Sequence, residues 1–204
     1  MQINSNNYKQ LTFFALVLIG ISTLLAYLLF TYLGEAFSEL PVFIQIIVSI
    51  PSVPAIYAFL FFLFDRYLWK WSALKSIGLV VADDLSGKWE GVIKSSWDKF
   101  ATDIPSELII KQTATSIKIY GKFNQSRSVS IYEHFGRSDT HNQTVLYYFY
   151  KNDPNYDAPT TMSMHEGSTI LGFNKESGEL SGYYFSGRDR NNHGTINLKK
   201  SSNL

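Results

Sequence analysis

Residues 182–197, GYYFSGRDRNNHGTIN, hold the densest supply of groups able to do chemistry. A run ending in Tyr183, Tyr184 and Phe185 leads into a turn with Arg188 and Arg190 on either side of Asp189. The donors Asn191, Asn192 and His193 follow, and Gly194 opens the next run. Arginine presents a planar fork suited to a phosphate or a base edge, and it stacks on rings. The same residues also describe a solvated hairpin turn whose Arg–Asp pair contributes little, and the sequence leaves both readings open. Tyr120 and the run Tyr147, Tyr148, Phe149, Tyr150 add flat faces of the kind that stack on nucleobases at about 1–3 kcal/mol per base. Strand aromatics equally fill small barrels. Because residues 147–150 are aromatic on both faces of their strand, one pair of rings must meet something other than an interior.

Catalysis finds little to work with. His134, His141, His165 and His193 are scattered over different strands and turns, with no HExxH or comparable ligand spacing, so no metal site is expected. His165-Glu166 is a dipeptide in an expected strand, where neighbours point to opposite faces. There is no P-loop, no GxGxxG and no GxSxG elbow. The chain has no cysteine, which removes disulfides, thiolate metal sites and cysteine nucleophiles together. A net charge of +1 over 204 residues excludes a surface that coats a polyanion, so no DNA or RNA partner is expected. An anionic ligand would have to be met by a few placed groups. The chain reads as a non-enzyme without a cofactor.

The elements that must position these groups fall into two kinds. Residues 11–32 and 41–64 are uncharged apolar runs, each long enough at about 1.5 Å per residue to cross roughly 30 Å of hydrocarbon. Together they read as a two-span membrane hairpin. The polar lead at residues 1–10 carries Lys9, the loop between the runs carries Glu35 and Glu39 but no Lys or Arg, and Arg66, Lys70 and Lys75 follow the second run. The positive-inside rule then puts both termini in the cytoplasm. Pro51 and Pro54 predict a kink in the second span, either tolerated packing or a hinge. Tyr67, Trp69 and Trp71 have the composition of an interfacial anchor that completes residues 11–71, and residues 72–82 read as a linker.

From residue 83 to 204 the pattern becomes strand and turn. Trp89, Gly91 and Ile93 fall on one face of residues 87–95, with Lys88, Glu90 and Lys94 on the other. Further runs at residues 107–113, 116–124, 127–136, 144–151, 160–173, 179–187 and 195–200 bring the total to about eight. Closure removes exposed edges, so a small antiparallel up-and-down β-barrel, lipocalin-like, is expected, with a two-sheet sandwich as the alternative.

A membrane hairpin, the exit Arg66-Tyr67-Leu68-Trp69-Lys70, then Asp84-Leu85-Ser86-Gly87-Lys88-Trp89-Glu90-Gly91, Ile110-Lys111-Gln112-Thr113, His165-Glu166-Gly167-Ser168 and Leu180-Ser181-Gly182-Tyr183 through Gly194 occur in that order. This order resembles the SMODS-associated two-transmembrane β-strand-rich effectors of CBASS, bacterial antiphage systems that signal with cyclic oligonucleotides. The resemblance implies a cytoplasmic eight-stranded barrel that binds a cyclic dinucleotide made by a CD-NTase-type nucleotidyltransferase. It further implies ligand-driven homo-oligomerisation in the bilayer, disruption of the inner membrane and abortive infection. On chemistry, Arg188 and Arg190 are then the phosphate candidates, Tyr120, Tyr148 and Tyr184 the stacking candidates, and His193 a further donor. Gly87-x-Trp89 also matches the first strand of lipocalins, so a tethered carrier or sensor of an apolar ligand is the alternative. A structural subunit of a larger membrane complex is a third reading.

Overall fold

A computed structural model describes residues 7–76, 80, 82–138, 143–160, 162–187 and 190–201. The chain divides into two compact units, with the second beginning at Ala82.

The first unit is helical. Helix α1 (Asn7–Tyr32) is joined through the short α2 (Gly34–Ser38) to α3 (Val42–Arg66). Two helices in it are long and apolar enough to cross a membrane, by length and composition. Their outward residues, such as Phe13, Leu16, Ile47 and Phe59, are large, apolar and exposed, so among the described residues neither helix shows the polar face that water demands. Buried Leu18, Ser22 and Ala26 recur every four residues along α1, and the small members let a helix backbone approach a neighbour closely. The Ser22 hydroxyl is satisfied within its own helix, donating to the Leu18 carbonyl at 2.7 Å. Phe14 of α1 meets Phe64 of α3 at 4.4 Å. Helix α3 runs unbroken through Pro51 and Pro54. A 3-10 turn at Leu68–Lys70 and a short α4 (Ser72–Ser76) follow. Tyr67 and Trp71 are exposed, whereas Trp69 is fully buried.

The second unit is a closed antiparallel barrel in simple meander order. Its strands are β1 (Gly87–Ser95), β2 (Ile104–Gln112), β3 (Ile117–Phe123), β4 (Ser126–Ser138), β5 (Gln143–Pro154), β6 (His165–Asn174), β7 (Glu179–Ser186) and β8 (His193–Lys200). Strand β1 pairs with both β2 and β8, so no edge is left open. The expected barrel is therefore the fold, and the sandwich is excluded. Alternation assigns the faces: on β1, Trp89 and Ile93 are buried while Glu90 and Lys94 are exposed. Where strands cross most tightly only glycine fits. A Cβ on Gly91 would stand 2.0 Å from the Asn197 carbonyl oxygen.

One end of the barrel is filled by Leu85, Trp89, Leu108, Ile119, Leu146 and Leu180, each at most 1 % exposed. Residues 82–86, which lead into β1, are strapped across this end. The Leu85 N–H donates to Gln112 Oε1 (2.8 Å), Gln112 Nε2 donates to the Asp83 carbonyl (3.0 Å), and Trp89 Nε1 donates to the Leu85 carbonyl (2.9 Å). Asp83 also accepts from the Thr144 hydroxyl at 2.7 Å and pairs with Lys175 at 3.5 Å. Backbone groups taken out of water at the plug thus keep partners. The seam between β3 and β4 is short, running only from Tyr120 to Lys122 on β3. Beyond it the buried Ser130 hydroxyl accepts from the Ile119 N–H at 2.9 Å, and a register shift between Ser130 and Tyr132 turns Ile131 outward.

Candidate ligand cup

Opposite the plug the barrel is hollow. A cavity of about 480 Å³ opens among the C-terminal ends of β1, β3, β5 and β7 and the N-terminal ends of β2, β4, β6 and β8. That size lies within the range of small-molecule sites, about 300–1,000 Å³. The hollow exists because inward positions change type along the strands. On β5 the inward residues run Leu146, Tyr148, Tyr150, Asn152, and on β7 they run Leu180, Gly182, Tyr184, Ser186. Large aliphatic side chains fill the plug, while tyrosines and small polar groups line the cup together with apolar Ile93, Ile104, Phe123 and Ile196.

The tyrosines project into the hollow with their hydroxyls held in low-dielectric surroundings. Burial pushes the Tyr148 hydroxyl far up from its ordinary pKa, with the Thr169 side chain beside it opposing the shift. Burial likewise pushes Tyr150 up to about 12, partly offset by a hydrogen bond with the Ser186 side chain. Its hydroxyl also donates to the Phe185 carbonyl at 3.4 Å. Tyr184 is raised for the same reason, and the Ser95 side chain opposes the shift. All three stay neutral at physiological pH, with a hydroxyl able to donate and a ring able to stack. The Tyr150 ring has its place because residue 167 has no side chain. A Cβ there would lie 2.4 Å from both the Tyr150 hydroxyl and the Phe185 carbonyl oxygen.

Arg190 and His165 reach the same cavity. His165 is partly buried, which lowers its pKa, and its Nδ1 stands 3.1 Å from the Ser163 carbonyl. Nδ1 therefore carries the proton in the neutral ring, and Nε2 is left as an acceptor. Its neighbour Glu166 points outward and is exposed, as alternation requires.

Of the residues singled out from sequence, Tyr148, Tyr184 and Arg190 come together in the cup. Tyr120 stands on the outer face, 40 % exposed, with the Lys111 ammonium over its ring at 5.3 Å. His193 is also on the outside, edge-on to Phe100 at 5.8 Å. Arg188 and Asp189 lie outside the described residues, as does His141. The 147–150 run splits as its alternation demands: Tyr148 and Tyr150 face inward, while Phe149 faces out against Tyr132 and Tyr147 against His134. Sequence reasoning missed the small polar lining, Ser95, Asp98, Thr102, Ser126, Ser128, Asn152, Thr169 and Ser186. For the strand members the signal that could have found them is parity, namely polar residues on the inward side at the same end of each strand; Asp98 and Thr102 lie in the connection between β1 and β2 and give no such signal.

Fold and cavity define the class: a small, closed, antiparallel barrel with one plugged end and one cup of mixed polar and apolar lining, preceded in the chain by two long apolar helices. A family model described as Cap15, cyclic dinucleotide receptor domain, matches residues 81–200, and the chain belongs to this family. It is a family of CBASS-associated receptors rather than catalytic domains, as the resemblance implied. The chain is similar to CD-NTase-associated protein 15 of Escherichia albertii, 27 % identical over 154 residues, which are 74 % of this chain and 75 % of that protein. It is also similar to CD-NTase-associated protein 15 of Staphylococcus schleiferi, 27 % identical over 139 residues, 67 % of this chain and 70 % of the relative.

Proposed function

We propose that this chain is a membrane-anchored antiphage effector whose barrel takes a cyclic dinucleotide into the cup, and whose hairpins then cluster and disrupt the bacterial inner membrane. The observation that carries the reading is the cup itself. In a cyclic dinucleotide receptor domain, it brings the Arg190 side chain and the rings of Tyr148 and Tyr184 around one hollow. A cyclic dinucleotide is a compact dianion with two flat bases, so it needs a placed cation and stacking faces rather than a basic surface. Both termini face the cytoplasm, where the nucleotidyltransferase product is made. Tethering confines encounters to the plane of the bilayer, so a modest gain in self-affinity on ligand binding is enough to assemble hairpins. Clustered apolar helices then compete with lipid for packing, and the bilayer fails before phage matures. An apolar cargo suits the cup less well, because burying Asn152 and the ring of serines against it would cost their hydration.

The test is calorimetric titration of the full chain in detergent micelles with a panel of cyclic dinucleotides and a fatty acid, followed by dye release from vesicles containing the protein. Saturable binding of one dinucleotide at micromolar affinity or tighter, with dye release dependent on it, is the expected result. Heat from the fatty acid alone would move the assignment to an apolar carrier, and binding without release would leave a receptor that does not itself break membranes.

A further inference from the structure

The charge on the walls of the cup does not match the charge of the ligand proposed for it. Among the described residues that line it, Arg190 is the one permanent cation, and Asp98 adds a carboxylate. A cyclic dinucleotide carries two phosphodiesters, each with a full negative charge, so one arginine leaves half of that charge unanswered. The tyrosine and serine hydroxyls of the lining can donate to phosphate oxygens but supply no charge.

His165 stands where a second cation is needed. It opens β6 at the mouth of the cup, opposite Asn152 of β5 and edge-on to the Tyr150 ring at 6.3 Å. The turn that carries Arg190 hangs on the very next residue. The Gly187 N–H donates to the Glu166 carbonyl at 2.6 Å, and the Arg190 N–H donates to the Gly187 carbonyl at 3.1 Å. The two side chains therefore enter the same corner of the cavity.

The imidazole is also oriented for the task. Its Nδ1 is held by the Ser163 carbonyl at 3.1 Å, so a second proton can go only to Nε2. Nε2 has no hydrogen-bond partner among the described residues and is not one of the polar atoms sealed from solvent, so an incoming ligand can reach it. Neutral, Nε2 offers a lone pair that repels a phosphate oxygen. Protonated, it offers a donor and a charge together.

The other titratable or charged groups that line the cup with it are Tyr148 and Tyr150 of β5, Tyr184 of β7, Arg190 of the β7–β8 connection and Asp98 of the β1–β2 connection. The tyrosines stay neutral, the Asp98 charge acts on Tyr184, and Lys151 and Glu166 lie on the outer face. Burial and the Arg190 charge hold the His165 ring below its ordinary pKa, while the Ser163 carbonyl favours the charged form. A dianion arriving beside Arg190 reverses the balance, because it cancels the arginine field and adds its own. We propose that His165 is the second phosphate-binding residue of the cup, engaging one phosphodiester as an imidazolium with a proton taken from solvent as the ligand binds, while Arg190 engages the other. This rests on the receptor reading above.

The test uses the full chain in micelles, titrated calorimetrically with cyclic di-GMP, cyclic di-AMP, cyclic GMP–AMP and cyclic UMP–AMP, and the tightest binder is carried into a pH series. Phosphodiesters and these bases do not titrate near pH 7, so a proton taken up on binding goes to the protein. Binding enthalpies at pH 7 in PIPES and in imidazole buffer, whose ionisation enthalpies differ, should report uptake of about half a proton or more per ligand. Affinity should rise about tenfold or more from pH 8 to pH 6. In His165→Gln the two buffers should give the same enthalpy, and the pH profile should flatten near the affinity of the native chain at pH 8. Less uptake than that by the native chain overturns the assignment, as does uptake that persists in His165→Gln. If that variant fails to fold, a chain with His134, His141 and His193 replaced by Gln decides: uptake kept there upholds the assignment and uptake lost there overturns it. In each of those cases the ligand binds and the receptor reading survives. If no cyclic dinucleotide binds the native chain, both readings fall together.

Discussion

The two ends of the barrel are built from the same eight strands and obey the same alternation, yet they do opposite things. Read from plug to mouth, the inward positions of β8 run Leu198, Ile196, Gly194, and those of β6 run Leu171, Thr169, Gly167, His165. The plug gathers fully buried aliphatic side chains around Trp89, whose ring meets Phe173 edge-on at 5.9 Å. The cup gives up that packing for hydroxyls, amides and open volume. A small domain carries a hollow of this kind only if the packed half holds the closed sheet together. Stability and recognition are thus separated along the strand axis, and substitutions should separate them too.

The largest effect is expected in the plug. Leu146→Ala removes a side chain with no exposure and should cost about 2–5 kcal/mol, read as a lowered denaturant midpoint of the barrel transition. An unchanged midpoint would break the comparison at once. Next comes the cup: Arg190→Ala should weaken binding of the cognate cyclic dinucleotide by about tenfold or more and leave the denaturant midpoint where it was. A midpoint that falls with the affinity would mean that the mouth also supports the fold.

A smaller effect separates the halves by pH. His165 titrates near 6.5 when unfolded, and burial in the cup lowers its pKa in the fold. Below about pH 6.5 the unfolded chain therefore binds more protons, and stability is lost as pH falls through the lower folded value. Between pH 7.5 and 5.5 the melting temperature of the native chain should drop further than that of His165→Gln. Equal slopes would remove His165 as the cause. The smallest effect belongs to the outer surface. Lys199 and Glu179 pair at 2.9 Å but both are solvent-exposed, so Lys199→Ala should leave the melting temperature and ligand affinity unchanged.

The strands could be read from sequence because each is a local event: alternation within a run and a turn residue at its end fix it without reference to the rest of the chain. The expected and observed bounds of the first strand coincide, whereas the expected run 160–173 gives way to β6 at His165–Asn174. The cup was harder to read because it is assembled from the ends of eight strands that sequence does not place side by side. Tyr184 and Arg190 were visible because they crowd one stretch. Tyr120 shows what parity would have added. In Ile117-Lys118-Ile119-Tyr120 it shares its face with Lys118, and β3 duly turns Ile119 inward and Tyr120 out. Asp98 left no mark at all, since a Ser-Trp-Asp turn followed by Lys and Phe has no glycine to announce two left-handed residues.

The strap across the plug gives the barrel a mechanical property. A pull applied at Ala82 does not peel β1 away one ladder bond at a time. Through Asp83, Leu85 and Trp89 it is shared with Gln112 on β2, Thr144 on β5 and Lys175 beyond β6, all anchored at once. Loosening the segment that leads into β1 therefore requires these bonds to break together.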